Sequence, residues 1–113
     1  MNSEHQIAKR KKEVILLFFQ DIAKRKFNIL KKIEKRNEFY TNHAKWEFTL
    51  PDLFAFIQQN LDDFNYSDYK EFRKILFSIP LNTELKKYNA IITIEKNMNN
   101  VDKTTYALFW KNQ

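Results

Sequence analysis

Apolar residues in the first third of the chain recur at the spacing of an α-helix. Six of them fall on one side at 3.6 residues per turn, and three more widen this stripe: Ile7, Val14, Phe18, Ile22, Ile29 and Ile33, with Ile15, Phe19 and Leu30. The pattern predicts one long amphipathic helix over residues 4–36. Such a helix would be roughly 50 Å long at 1.5 Å per residue, which exceeds the diameter of a small domain. We therefore expect part of it to project or to pair with another chain.

Two shorter helices are predicted in the middle of the chain. Thr49 has the character of an N-cap and is followed by Pro51 in the first turn, which predicts a helix ending near Asn60. Ser67 is the predicted cap of a third helix, over residues 67–79. Pro80 follows this segment and cannot continue a helix, so the helix is predicted to end at residue 79.

The hydrophobic period changes to two in the C-terminal part. Residues 90–95 and 106–111 alternate between apolar and polar side chains and predict two strands. The connection between them is polar and contains asparagines, which tolerate the positive φ that a hairpin turn requires. Residues 46–48 alternate in the same way and predict a short strand, whereas residues 37–45 have no period and predict a connection.

The composition supports one folded unit. The chain has 113 residues, of which 43% are hydrophobic and 16% aromatic, enough to bury one core. We expect a single domain over residues 1–113 that is mainly α with a small β-hairpin, an α+β fold. In this fold the helix over residues 4–36 precedes a helix–helix–hairpin unit over residues 46–111. Cysteine is absent and no export signal is recognisable, which suits the cytoplasm.

The positive charge is concentrated at the N-terminal end. Residues 1–36 contain 11 Lys/Arg and 4 Asp/Glu, a net charge of +7, whereas residues 37–113 contain 9 and 10. Arg10, Lys24 and Lys31 lie opposite the apolar stripe and predict a basic face along the long helix. Such a face can meet a polyanion, although a merely solvated polar face is the ordinary alternative.

The order helix, short strand, helix, helix, hairpin resembles that of winged-helix DNA-binding domains. The resemblance implies that the helix over residues 67–79 enters the major groove, while the hairpin lies along the backbone or the minor groove. Arg73 is the best candidate for base readout, because its guanidinium can pair bidentately with guanine. The asparagines of the hairpin could instead serve only as turn formers. The candidate nucleic-acid-binding residues are Lys70, Arg73, Lys74, Lys96, Asn97, Asn99, Lys103, Arg10, Lys24 and Lys31.

The sequence argues against several other kinds of site. Its two histidines, His5 and His43, are far apart, and no nucleophile has an obvious base beside it, so we expect no enzyme activity, metal or cofactor. No small-molecule substrate is inferred. The chain lacks glycine, which excludes glycine-rich phosphate-binding loops. Its longest apolar run, residues 14–19, is far shorter than a membrane span.

Three functions therefore stay open. The first is a small double-stranded DNA-binding protein, either a transcriptional regulator or a mobile-element accessory factor, that forms a homodimer through the N-terminal helix. The second is a protein–protein interaction module without any nucleic-acid role. The third is a peripheral membrane protein, because Phe18, Phe19 and Phe27 with their flanking lysines suit an interfacial helix.

Overall fold

Within residues 4–111, five α-helices and a four-stranded antiparallel sheet build the fold, so the predicted α+β class is confirmed. The computed structural model of the chain describes the backbone of residues 4–111 and the side chains of residues 6–111. Short 3₁₀ turns occupy Asp62–Phe64 and Lys86–Tyr88. The elements in chain order are α1 (Glu4–Ala23), α2 (Phe27–Glu34), β1 (Tyr40–Thr41), β2 (Lys45–Phe48), α3 (Leu50–Asn60), α4 (Tyr69–Phe77), α5 (Leu81–Leu85), β3 (Ala90–Lys96) and β4 (Thr105–Trp110).

The prediction of one long helix over residues 4–36 is wrong, because the chain breaks between α1 and α2. Arg25 adopts a left-handed conformation with φ 60°, which ends α1 and costs a residue with a Cβ some free energy. Tertiary contacts hold it there. Its Nη2 donates to the His43 carbonyl at 3.1 Å, and its guanidinium carbon lies 4.6 Å from the centre of the Trp110 ring.

The apolar stripe of α1 is used inside the domain. Val14, Ile15, Phe18, Phe19 and Ile22 are all buried in the chain's own core. These side chains are therefore covered and are not available to a second chain or to a lipid surface. The hypothesis of a homodimer relied on that stripe being exposed. The hypothesis of an interfacial helix relied on Phe18, Phe19 and Phe27, of which Phe27 alone is exposed, at 70%.

The two middle helices begin with side-chain caps. Thr49 caps α3 as predicted, because its Oγ1 accepts a hydrogen bond from the Asp52 amide at 3.4 Å. The predicted cap of the next helix is wrong. Asp68 and not Ser67 caps α4, its Oδ1 accepting from the Glu71 amide at 2.7 Å. As a result α4 begins at Tyr69. It ends at Phe77 and is shorter than the predicted 67–79 at both ends.

The sheet is larger than the predicted two-stranded hairpin. The hairpin of β3 and β4 is present, and the strand order is β1-β2-β4-β3. In the middle of the sheet, Trp46 of β2 lies opposite Leu108 of β4. The region 37–45, predicted to be only a connection, contains β1 and the first residue of β2.

The helices cover one face of this sheet. Trp46 and Phe48 point into the core, where the Trp46 ring contacts the rings of Phe18, Phe19 and Phe39 at centroid distances of 6.4, 6.3 and 5.4 Å. Successive side chains of a strand point to opposite faces, so Lys45 lies on the other one. There it forms ion pairs with glutamates of β2 and β3, which keep this face polar.

A side-chain amide covers part of the outer edge of the sheet. In the edge strand β3, the main-chain amide and carbonyl of Ile92 point away from β4. Asn82 of α5 pairs with both of them: its Nδ2 donates to the Ile92 carbonyl at 3.0 Å, and its Oδ1 accepts from the Ile92 amide at 2.7 Å. The amide thus takes the place of a neighbouring strand at that residue.

Candidate nucleic-acid interface

The outer side of α4 presents two lysines to solvent. Phe72, Ile75 and Leu76 form the buried side of this nine-residue helix. At 100° per residue, Lys70 and Lys74 lie on the opposite side, and both are exposed. Among the side chains of residues 6–111, neither lysine has an acidic partner within ion-pair distance. Their charges are therefore available to an external anion.

The tip of the β3–β4 hairpin is fastened to α4 by Asp102. The Nη1 atom of Arg73 donates to both carboxylate oxygens of Asp102, at 2.9 and 3.1 Å, and the Tyr69 hydroxyl donates to one of them. The Arg73 guanidinium carbon also lies 5.6 Å from the centre of the Tyr69 ring. This cluster, Tyr69–Arg73–Asp102, places the hairpin tip beside the exposed side of α4.

The same cluster shifts the acidity of its members. The Tyr69 hydroxyl, followed by Arg73, holds the pKa of Asp102 below its usual value. Burial and the Asp102 carboxylate raise the pKa of Tyr69. Asp102 is therefore ionised and Tyr69 neutral at physiological pH. The guanidinium of Arg73, the predicted base reader, is already engaged by a carboxylate of its own chain.

Hydrogen bonds within the hairpin tip give it a fixed shape. Thr104, only 3% exposed, donates through Oγ1 to the Asn100 carbonyl at 2.8 Å and accepts from the Met98 amide at 3.2 Å. The side-chain oxygens of Asn97 and Asn100 each accept an amide two residues further on, at 2.8 Å. Asn99 is left-handed, with φ 60°. The asparagines thus act as turn formers, and Lys96 and Lys103 stand exposed at the two sides of the tip.

The N-terminal half of α1 lies on the other side of α4. The Lys11 ammonium donates to Ser67 Oγ at 2.6 Å and to Glu71 Oε1 at 3.1 Å. Arg10 Nε lies 3.7 Å from the Asp63 carboxylate. Part of the basic N-terminal block is therefore next to α4, with two of its charges paired to acidic residues there.

Two of the candidate residues lie away from this surface. Lys24 is at the end of α1, about 20 Å along the helix from Arg10, with its ammonium 4.9 Å from the centre of the Tyr88 ring. Lys31 on α2 pairs with Glu34 at 3.8 Å and lies over the Phe27 ring. The basic face predicted along one helix is thus broken up, with Arg10 beside Asp63, Lys24 beside Tyr88 and Lys31 on α2.

Sequence reasoning missed Tyr69 and Asp102. They are 33 residues apart, and their contact forms only when the hairpin folds back against α4. Tyr69 fits the apolar side of a helix and Asp102 fits a polar turn, so no local pattern marks either one. The signal available in the sequence was an acidic residue in an otherwise basic and amide-rich hairpin tip.

Other kinds of site are not found in the described part of the chain. Within residues 4–111, no group of three or more metal-ligating side chains could hold an ion. In the same range, no helix combines the length and the apolar character needed for a bilayer span. Comparison with protein families, with curated proteins and with solved structures finds no match for this chain.

Proposed function

We propose that this protein binds double-stranded DNA through α4 and the hairpin tip. The observation that carries the proposal is the Tyr69–Arg73–Asp102 cluster, which joins these two elements into one surface. Lys70 and Lys74 project from the helix. Two further lysines flank the hairpin tip. Lysines near phosphates release condensed counterions, and this supplies sequence-independent affinity for DNA.

The order β2, α3, α4 and the β3–β4 hairpin supports this proposal, although α2, β1 and α5 are additional to the predicted order. In the resemblance to winged-helix domains, α3 and α4 form the helix pair, and α4 is the helix that enters the major groove. The hairpin of β3 and β4 is the wing, and β2 pairs with it through β4. A wing that is anchored on the recognition helix keeps a fixed position relative to it, so both elements can contact the same DNA duplex at once.

The contacts support different roles for the basic residues in this proposal. Lys70 and Lys74 are the DNA-binding residues of α4 in this proposal, since their charges are not balanced by acidic neighbours. Arg73 becomes a positioning residue that holds the wing through Asp102 and does not read a base. Arg10 is partly neutralised by its own acidic partner, and Lys24 and Lys31 lie outside the surface.

The proposal is tested by titrating isotopically labelled protein with a mixed-sequence duplex at low salt. We expect the duplex to bind and to shift the backbone amide resonances of residues 69–77 and 96–104. The amides of residues 27–34, on the basic but distant α2, are expected to stay unchanged. The proposal fails if the duplex does not bind at low ionic strength, or if the shifts fall on α2 and leave α4 unaffected.

A further inference from the structure

A cleft between the N-terminal half of α1 and α4 has an apolar floor and a basic rim. It has a volume of about 560 Å³ and lies on the side of α4 away from the hairpin. Ile7 and Ala8 of α1 and Ile75 of α4 supply the floor. Lys12 and Lys74 supply the rim, one from each helix.

One large apolar side chain of the floor, that of Ile7, is in contact with water. Ile7 is 44% exposed, although the residues of α1 further along the same side are buried in the core. Ile75, at 6% exposure, continues the apolar surface into the cleft from the other helix. An occupant that brings its own apolar side chain would remove this surface from water, which is favourable in proportion to the area.

The rim carries unbalanced positive charge. One carboxylate also lines the cleft, that of Glu71, but it accepts a hydrogen bond from Lys11 at 3.1 Å. Among the side chains of residues 6–111, Lys12 and Lys74 have no carboxylate within ion-pair distance. The charge that complements this rim is therefore negative.

We infer that this cleft binds an acidic amphipathic helix of a partner protein. A helix with apolar residues at i, i+3 and i+4 can lay that stripe on the floor, which is the usual way in which a groove recognises a helix. Glutamates or aspartates beside the stripe would then face Lys12 and Lys74. A simple anion would pair with the lysines of the rim but leave the apolar floor exposed to water. Duplex DNA would bring phosphates to the rim but no apolar side chains to the floor.

The inference stands apart from DNA binding but shares one residue with it. Lys74 belongs to the rim of the cleft and also to the DNA-facing side of α4. A bound acidic helix would engage this ammonium and add negative charge beside the DNA surface. Occupation of the cleft is therefore expected to weaken DNA binding, so that the partner would act as an antagonist of the proposed function.

The test uses a fluorescent synthetic peptide of about 15 residues, the length at which isolated helices become stable, with leucines on one side and glutamates on the other. Three comparison ligands accompany it: a scrambled peptide of the same composition, a peptide with serine in place of leucine, and anionic phosphatidylserine vesicles. We expect the amphipathic peptide to bind more tightly than either comparison peptide. Its binding should shift the amide resonances of Ile7, Ala8 and Ile75.

Two variants locate the binding. Ile7→Asp changes an exposed residue and introduces repulsion, and we expect it to raise the Kd of the peptide about tenfold or more. Lys12→Ala with Lys74→Ala should have a similar effect. The matched control is Lys32→Ala with Lys35→Ala, which removes the same charge from exposed positions of the α2 region and should leave the Kd unchanged.

The outcomes separate this inference from the proposed function. Peptide binding is measured in the absence of DNA, so a peptide that binds through the cleft is detected even if the duplex does not bind. The inference is overturned if the scrambled peptide binds as tightly as the amphipathic one, or if Ile7→Asp affects only vesicle binding. A peptide Kd that rises as much in the α2 control variant as in the Lys12→Ala, Lys74→Ala variant also overturns it.

Discussion

The salt dependence of DNA binding tests whether the α4 lysines contact phosphates. The change is Lys70→Ala together with Lys74→Ala. Both side chains are exposed on the outer side of α4, and the buried side of the helix is left intact, so the fold should be preserved. Alanine also has the highest helix propensity, which favours a folded α4 in the variant.

The size of the effect follows from the number of contacts removed. The logarithm of the binding constant falls linearly with the logarithm of the salt concentration, with a slope of about −0.9 for each phosphate neutralised in B-DNA. If each lysine neutralises one phosphate, the double variant should have a slope that is shallower by about 1.8. Between about 50 and 200 mM salt, the variant should therefore lose about twelvefold less affinity than the wild type.

The assay is fluorescence anisotropy of a labelled duplex over a series of salt concentrations. The control variant Lys32→Ala with Lys35→Ala lowers the net charge of the protein by the same amount. Its slope should match that of the wild type, because α2 lies outside the proposed surface. The reasoning is refuted if both variants change the slope equally, since the effect would then come from net charge and not from a located contact.

The remaining predictions concern the elements that hold the surface in place. Asp102→Asn should lower the thermal stability at neutral pH, because the lowered pKa of Asp102 stabilises the fold while the carboxylate is ionised. The difference from wild type should shrink as the pH falls below the ordinary aspartate pKa of 3.8 and vanish only below the lowered pKa of Asp102; a difference that persists there would contradict this. Thr49→Ala should cost about 1 kcal/mol in urea unfolding through loss of the α3 cap, and an unchanged midpoint would show that the cap contributes nothing. Asn89, left-handed at φ 58°, should tolerate glycine but lose about 1 kcal/mol as alanine, measured in the same way; equal stabilities would argue against the left-handed conformation.

Local signals in the sequence were sufficient for much of the fold. Caps and hydrophobic period depend on residues a few positions apart, which is why the α3 start at Thr49 and the β3–β4 hairpin were predicted. The α4 start was misplaced by one residue, since Ser67 and Asp68 are both good capping residues. Packing decided between them, because Ser67 is buried against Lys11.

The errors arose where distant residues determine the local conformation. Arginine does not ordinarily break a helix, and Arg25 does so here in contacts with His43 and Trp110, far along the chain. The two-residue strand β1 is too short to have a period. The anchoring of the hairpin by Asp102 likewise depends on folded proximity to Tyr69. The exposure of the α4 lysines was therefore predictable from the sequence, but their position relative to the hairpin was not.

The amide of Asn82 on the edge of β3 has a consequence for self-association. An uncovered strand rich in isoleucine is a template on which another molecule can add its own strand, and repetition of that step produces fibrils. At Ile92 the docking position is already filled from within the same chain. Substitution of Asn82 should therefore make concentrated solutions prone to polymerisation before it measurably alters the fold.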